Sequence, residues 1–154
     1  MEVKERFNLL IQENKELKMN FNYCIEKSFY KKEEISMYTN WLNSLPEEFI
    51  CRYLKKDGSI ISVLKNPTDE MKRVSVNQNP NNIRFIQDQT DKIINIATNR
   101  GCFDLVNRQS VDICLRALKL SQWNYVYVKI VPNPDYETTL KNLLEKKAIL
   151  EALK

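Results

Sequence analysis

Residues 68–86 read TDEMKRVSVNQNPNNIRFI, and residues 90–106 read TDKIINIATNRGCFDLV. Each stretch opens on a threonine whose hydroxyl can accept from the unpaired backbone N–H groups of a helix start. Asp69, Glu70 and Asp91 follow at once, where the helix dipole favours negative charge. Three, seven and eight positions after the threonine stand Met71, Ser75 and Val76 in one stretch and Ile93, Ala97 and Thr98 in the other. That spacing lays a single stripe along one helix face. Asn79-Pro80 and Asn99-Arg100-Gly101 then break the helix, because glycine takes positive φ and a residue before proline avoids the helical region. A second, shorter helix is predicted around Ile83–Phe85 and around Phe103–Leu105.

The same writing extends in both directions. Residues 46–64 (PEEFICRYLKKDGSIISVL) and 110–128 (SVDICLRALKLSQWNYVYV) align with the first two stretches, so that Pro46, Thr68, Thr90 and Ser110 lie 22, 22 and 20 residues apart. The third position is Phe49, Met71, Ile93 and Ile113. The seventh is Tyr53, Ser75, Ala97 and Ala117, and the eighth is Leu54, Val76, Thr98 and Leu118; the units close on Leu64, Ile86, Val106 and Val128. Pro46 suits the first helical position. Ser110 and Asp112 repeat the cap and its acid, and the unit from Thr90 is two residues short. Residues 123–130 have the aromatic and β-branched composition of a strand, but the equivalent slots elsewhere do not, so a helix is expected there too. One hairpin cannot bury its apolar face alone, whereas stacked neighbours bury it jointly. The expectation is an all-α protein of stacked helical-hairpin repeats, a short α-solenoid. It occupies a single domain, 1–154: an N-terminal helical cap over 1–45, repeats over 46–130 and a C-terminal capping helix over 131–154.

In the N-terminal part, Val3, Phe7, Leu10, Asn14, Leu17, Phe21 and Cys24 form a heptad seam with an asparagine inside it. It reads either as a self-association helix or as a cap on the first repeat, so the chain is expected to be a monomer or a homodimer through this helix. A second helix is expected over Glu33–Ser44 with Ile35, Tyr38, Trp41 and Leu42 inward. After Pro132 and Pro134, a last helix should place Leu140, Leu143, Leu144 and Leu150 inward and Lys141, Lys146 and Lys147 outward.

The run Leu64-Lys65-Asn66-Pro67-Thr68-Asp69-Glu70-Met71, with Val76-Asn77-Gln78-Asn79 and Ile83-Arg84-Phe85-Ile86 behind it, resembles a short helical-hairpin repeat family of uncharacterised function. That family is frequent in bacteriophages, large DNA viruses and some intracellular bacteria. Lys56-Asp57-Gly58 and Ser110-Val111-Asp112-Ile113 fit the same template. Pro80 or Gln122 stands where two units would carry the family's glycine. The resemblance implies the fold and a viral or mobile-element origin; it implies no chemistry. In that setting a small non-catalytic protein would act by blocking a host-defence complex such as a CRISPR effector.

Composition narrows the functions further. The chain has no histidine, which removes histidine triads, bases and metal ligands, and only two glycines, which removes glycine-rich phosphate loops. Cys24, Cys51, Cys102 and Cys114 form no Cys-x-x-Cys pair, so neither a metal nor any other cofactor is expected, and the thiols read as buried apolar groups. No apolar run reaches the ~18 residues of a membrane span, and the charged N-terminus has no signal-peptide core, so a cytoplasmic location is expected (the host cytoplasm for a phage protein). Adjacent carboxylates at Glu33/Glu34, Glu47/Glu48 and Asp69/Glu70 point about 100° apart on a helix and read as helix-start charges rather than as catalytic dyads.

Two binding readings remain. Protein contact, with a host protein or nucleoprotein complex, would use aromatic anchors: Phe29, Tyr30, Trp41, Trp123 and Tyr136 are the candidates, each with a competing role in core or cap. Single-stranded RNA or other nucleic acid would use a basic edge near the hairpin bends. Lys55, Lys56, Arg84, Arg100, Arg116 and Lys119 would supply it, helped by Arg108 and Lys129, with Tyr125 and Tyr127 as stacking surfaces. The net charge of +4 permits either.

Overall fold

The computed structural model describes residues 2–129 and 137–153, the side chains at 137–140 and 143 excepted. Every element among the described residues is helical, and there is no strand. The α-helices are α1 (Val3–Glu16), α2 (Phe21–Glu26), α3 (Lys32–Ser44), α4 (Glu47–Lys56), α5 (Asp69–Gln78), α6 (Asp91–Asn99), α7 (Val111–Leu120) and α8 (Glu137–Ala152). Each of α4 to α7 is followed by a 3₁₀ turn: Gly58–Val63, Pro80–Phe85, Phe103–Leu105 and Gln122–Tyr127. The chain divides into two compact units, residues 1–86 and residues 87–154.

The first unit is built around Phe7. Its fully buried ring meets Phe21, Tyr38, Trp41 and Tyr53 at centroid distances of 5.7, 5.5, 5.4 and 5.2 Å. Four aromatic neighbours in edge or tilted contact bury a large apolar area and fix its geometry. Here the heptad reading needs correction. Phe7, Leu10, Asn14, Phe21 and Cys24 are all buried within this unit, but Leu17 is exposed and the seam is not one helix. The α1 helix ends at Glu16, Lys18 adopts φ 56°, and Met19 N–H and Lys18 N–H close back on the carbonyls of Asn14 and Lys15. Asn20 then caps α2, its Oδ1 accepting from Tyr23 N–H at 2.7 Å. Ser28, at φ 57°, ends α2 in the same manner. Both ends are Schellman closures made without glycine, and so gave no breaker signal in the sequence.

Further along, α4 packs on α5, and the 3₁₀ turns behind them pack on each other. The caps form where the threonine and serine spacing places them: Thr68, Thr90 and Ser110 accept from the N–H of Met71, Ile93 and Ile113. Pro46 is itself the cap residue, with the helix starting at Glu47, not the first helical position. The seventh and eighth positions are buried in all four segments. Phe49 departs from its column: it is exposed, and Ile50 is buried instead. The residue one place later than the expected column is in fact buried in every segment (Ile50, Lys72, Ile94, Cys114). Lys72 disguised that column in the sequence; its stem packs inside, with Nζ 3.9 Å from Asp69.

In the second unit α6 packs on α7, their 3₁₀ turns pack together, and α8 lies on α7 and on the turn Gln122–Tyr127. Of the strand-like stretch 123–130, residues 123–127 lie in the 3₁₀ turn Gln122–Tyr127, and residue 130 lies outside the described residues. Leu150 is half-buried, but Leu144 is exposed where it was expected inward, because apolar and charged residues are mixed around α8 and form no single apolar stripe. Lys141 and Lys146 are exposed and Lys147 is half-buried. The side chains of Leu140 and Leu143 and the pair Pro132 and Pro134 lie outside the described residues.

Side-chain amides tie successive segments together. Gln89 donates to Leu105 O (3.1 Å) and accepts from Asn107 N–H (2.8 Å). Gln109 does the same to Tyr127 O (2.8 Å) and Lys129 N–H (2.7 Å). In the first unit Asn43 brackets Val63 O (3.0 Å) and Lys65 N–H (2.9 Å). Each clamp satisfies the carbonyl and N–H that flank the residue just after a 3₁₀ turn (Leu64, Val106, Val128), groups whose burial without partners would be costly.

Candidate functional site

Among the candidate anchors, two serve the interior of the first unit. The Tyr30 hydroxyl donates to the buried Asn14 Oδ1 at 2.6 Å, and its ring lies 5.9 Å from Phe21. Burial raises its pKa above the ordinary value, which keeps it a donor. Trp41 is half-buried against Phe7 and Tyr53. Phe29 is exposed, its edge against Tyr23. Tyr136 lies outside the described residues.

Trp123 is different. It is 64% exposed, and within the same eight residues Leu120 is 55%, Val126 53% and Tyr127 44% exposed. The 3₁₀ geometry of Gln122–Tyr127 explains the arrangement. Residues three apart eclipse one another in such a turn, so Tyr125 and Val128 share the buried edge while Trp123 and Val126 share the outer one. Tyr125 is 1% exposed and cannot stack on a base, which corrects its reading as a nucleic-acid contact; Tyr127 remains accessible. Val126 was missed in the sequence because a strand, an α-helix and a 3₁₀ turn present different outward sets, and Leu120 because it closes α7 beyond its buried stripe.

The basic candidates are all at the surface, but they do different things. Lys55 and Lys56 end α4, with Lys56 Nζ 5.7 Å from the Tyr53 ring centroid. Arg84 lies over Phe85 at 4.8 Å. Arg100 is the C-cap of α6, and Lys119 sits in the last turn of α7. Arg116 donates to Asn95 Oδ1 at 2.6 Å, and Arg108 pairs with Asp91 at 2.7 Å. These two bridges cross from α7 and its approach to α6 and border an open groove of about 460 Å³. Both arginines are thereby committed to holding neighbouring helices, and solvent-exposed pairs of this kind add little stability. Within the first unit, Lys56 comes together with Lys15 and Lys18 around a hollow of about 220 Å³, a grouping the sequence did not suggest.

Glu48 is ion-paired with Arg52 at 2.6 Å, and Glu70 with Arg73, each within its own helix. Among the described residues there is no cluster of three cysteine or carboxylate groups able to hold a metal ion, and no helix long and apolar enough to cross a membrane. Comparison with known protein families, with curated proteins and with solved structures finds no match in any of the three.

Proposed function

We propose that the chain is a non-catalytic binding scaffold of stacked helical hairpins, a short α-solenoid, that works by protein–protein contact through the face carrying Trp123. The observation behind this reading is the exposure of Leu120, Trp123, Val126 and Tyr127 in one eight-residue stretch. Apolar surface gathered in this way marks contact sites, and tryptophan and tyrosine dominate the energetics of such contacts. The repeating helix and 3₁₀ turn within each unit, with amide clamps from one segment to the next, supports a scaffold whose surface rather than whose chemistry is used. The viral setting of the repeat family it resembles gives the partner class: a host protein or nucleoprotein complex, such as a host-defence effector of the CRISPR type, met in the host cytoplasm.

A second reading, binding of single-stranded nucleic acid, is favoured by the exposed Lys55, Lys56, Arg84 and Lys119. Affinity capture separates the two. The wild-type chain, a Trp123→Ser/Tyr127→Ser variant and a Lys55→Glu/Lys56→Glu/Arg100→Glu/Lys119→Glu variant are compared by quantitative mass spectrometry. Protein contact through this face predicts a protein set kept by the charge-reversed variant and lost by the aromatic one. The opposite pattern, with RNA in the eluate and steep weakening by salt, makes the second reading the correct one.

A further inference from the structure

We propose that the first unit carries a binding site for a phosphate-type oxyanion, in the hollow between the α1–α2 turn and the ends of α4 and α5. This goes beyond the protein-contact reading and is independent of it. Lys15, Lys18 and Lys56 line the hollow, and none of the three has an ion-pair partner among the described residues. Four amide side chains line it as well: Asn20, Gln78, Asn79 and Asn82. The Asn82 NH₂ is taken up by Ser75 O at 3.0 Å and Gln78 Oε1 at 3.3 Å, which leaves the other three to consider.

The orientation of those amides decides the chemistry. In each, a backbone N–H claims the oxygen. Asn20 Oδ1 accepts from Tyr23 N–H at 2.7 Å, Gln78 Oε1 from Gly58 N–H at 2.8 Å, and Asn79 Oδ1 from Asn81 N–H at 3.0 Å. A backbone N–H can only donate, so the oxygen and nitrogen of each amide are fixed and the NH₂ group is what remains. None of these three NH₂ groups has a partner among the described residues. Asp57, the carboxylate in the wall, has its acceptors in use: Oδ2 takes Phe21 N–H at 2.7 Å, and Oδ1 takes Ser59 N–H at 3.0 Å and Ser59 Oγ–H at 2.6 Å. Asn20, Gln78 and Asn79 therefore offer uncommitted donors at the hollow, beside the three ammonium groups. With three ammonium groups against one buried carboxylate, the hollow carries a positive excess. A compact, multiply charged oxyanion is the ligand class that accepts from such a set, and charge-assisted bonds of this type are the strong ones.

The test is a titration of the full ¹⁵N-labelled chain, read at the side-chain NH₂ resonances of Asn20, Gln78 and Asn79. Sodium pyrophosphate is the probe, sodium chloride at matched ionic strength is the control, and a short single-stranded oligonucleotide is the second arm. The expected result is a saturable shift of these three pairs with pyrophosphate and not with chloride. A Lys15→Gln/Lys18→Gln/Lys56→Gln variant should bind about tenfold more weakly or worse, on the scale of three exposed charge contacts. Asn79→Asp is the second variant: it keeps the acceptor for Asn81 N–H, replaces the donor with a negative charge and should abolish the response. Saturation by the oligonucleotide alone, at the same three amides, also supports the site and assigns the phosphate to a nucleic-acid backbone. Shifts that only track ionic strength, or an unchanged titration in both variants, overturn the proposal.

Discussion

At the scale of single residues, Gly58 and Cys114 show how burial sets what a position tolerates. A Cβ on Gly58 would stand 2.6 Å from the backbone oxygen of Ser75, which cannot swing aside. The same glycine donates to Gln78 and accepts from the Ser75 hydroxyl at 2.7 Å. Gly58→Ala should therefore cost about 1–3 kcal/mol by overpacking, measured by chemical denaturation of the purified variant. Gly58 was legible in the sequence as a breaker, but the reason only glycine serves is this close approach to α5. For Cys114, burial raises the thiol to about 11 from an ordinary 9.0, and its S–H donates to Gln109 Oε1 at 3.4 Å. A raised acid pKa means that the neutral form is favoured in the fold. Its contribution to stability is complete below about pH 9 and is lost as the pH rises through about 11. Iodoacetamide at pH 8 should label the half-buried Cys51 before Cys114; rapid labelling of Cys114 in the native chain would contradict its placement.

At the scale of elements, the hydroxyl caps, the acidic first turns and the Asn-Pro and Arg-Gly breakers placed α5, α6 and α7 within a residue or so of where they lie. These signals are local and act on the backbone of the same segment. What the sequence hid was non-local or lacked its usual residue. The clamps of Gln89 and Gln109 depend on backbone groups 16 to 20 residues away. The ends of α1 and α2 use Lys18 and Ser28 where glycine normally stands. The buried column containing Lys72 was invisible because a lysine stem can be buried while its charge reaches outward. Ala97 and Ala117 give the sharpest check on segment packing. Both are fully buried at the same position of successive helices, α6 and α7. Ala97→Trp and Ala117→Trp should each lose the cooperative thermal transition or lower Tm by about 10 °C or more, on the scale of several kcal/mol for a domain of this size. Wild-type melting in both would show that the segments are out of phase with one another.

At the scale of the whole chain, the question is where a protein without histidine or a metal-binding cluster among its described residues makes itself useful. Trp123 was named in the sequence as a candidate anchor from its residue type alone, and it is exposed. Its neighbour Val126 was not named, because outward sets follow the period of the backbone, and the 3₁₀ turn puts Tyr125 inside and Val126 out. The lysines of the oxyanion hollow were equally hidden, since Lys15 and Lys18 meet Lys56 only through the fold of the first unit. The central claim, that the face around Trp123 meets a protein, is tested most directly by a benzophenone amino acid placed at position 123 and irradiated in cell lysate. The same photo-residue at the exposed Leu9 of the first unit serves as the reference. A discrete protein adduct formed from position 123 and absent from position 9 is the predicted result. Adducts to RNA alone, or the same adducts from both positions, would contradict it.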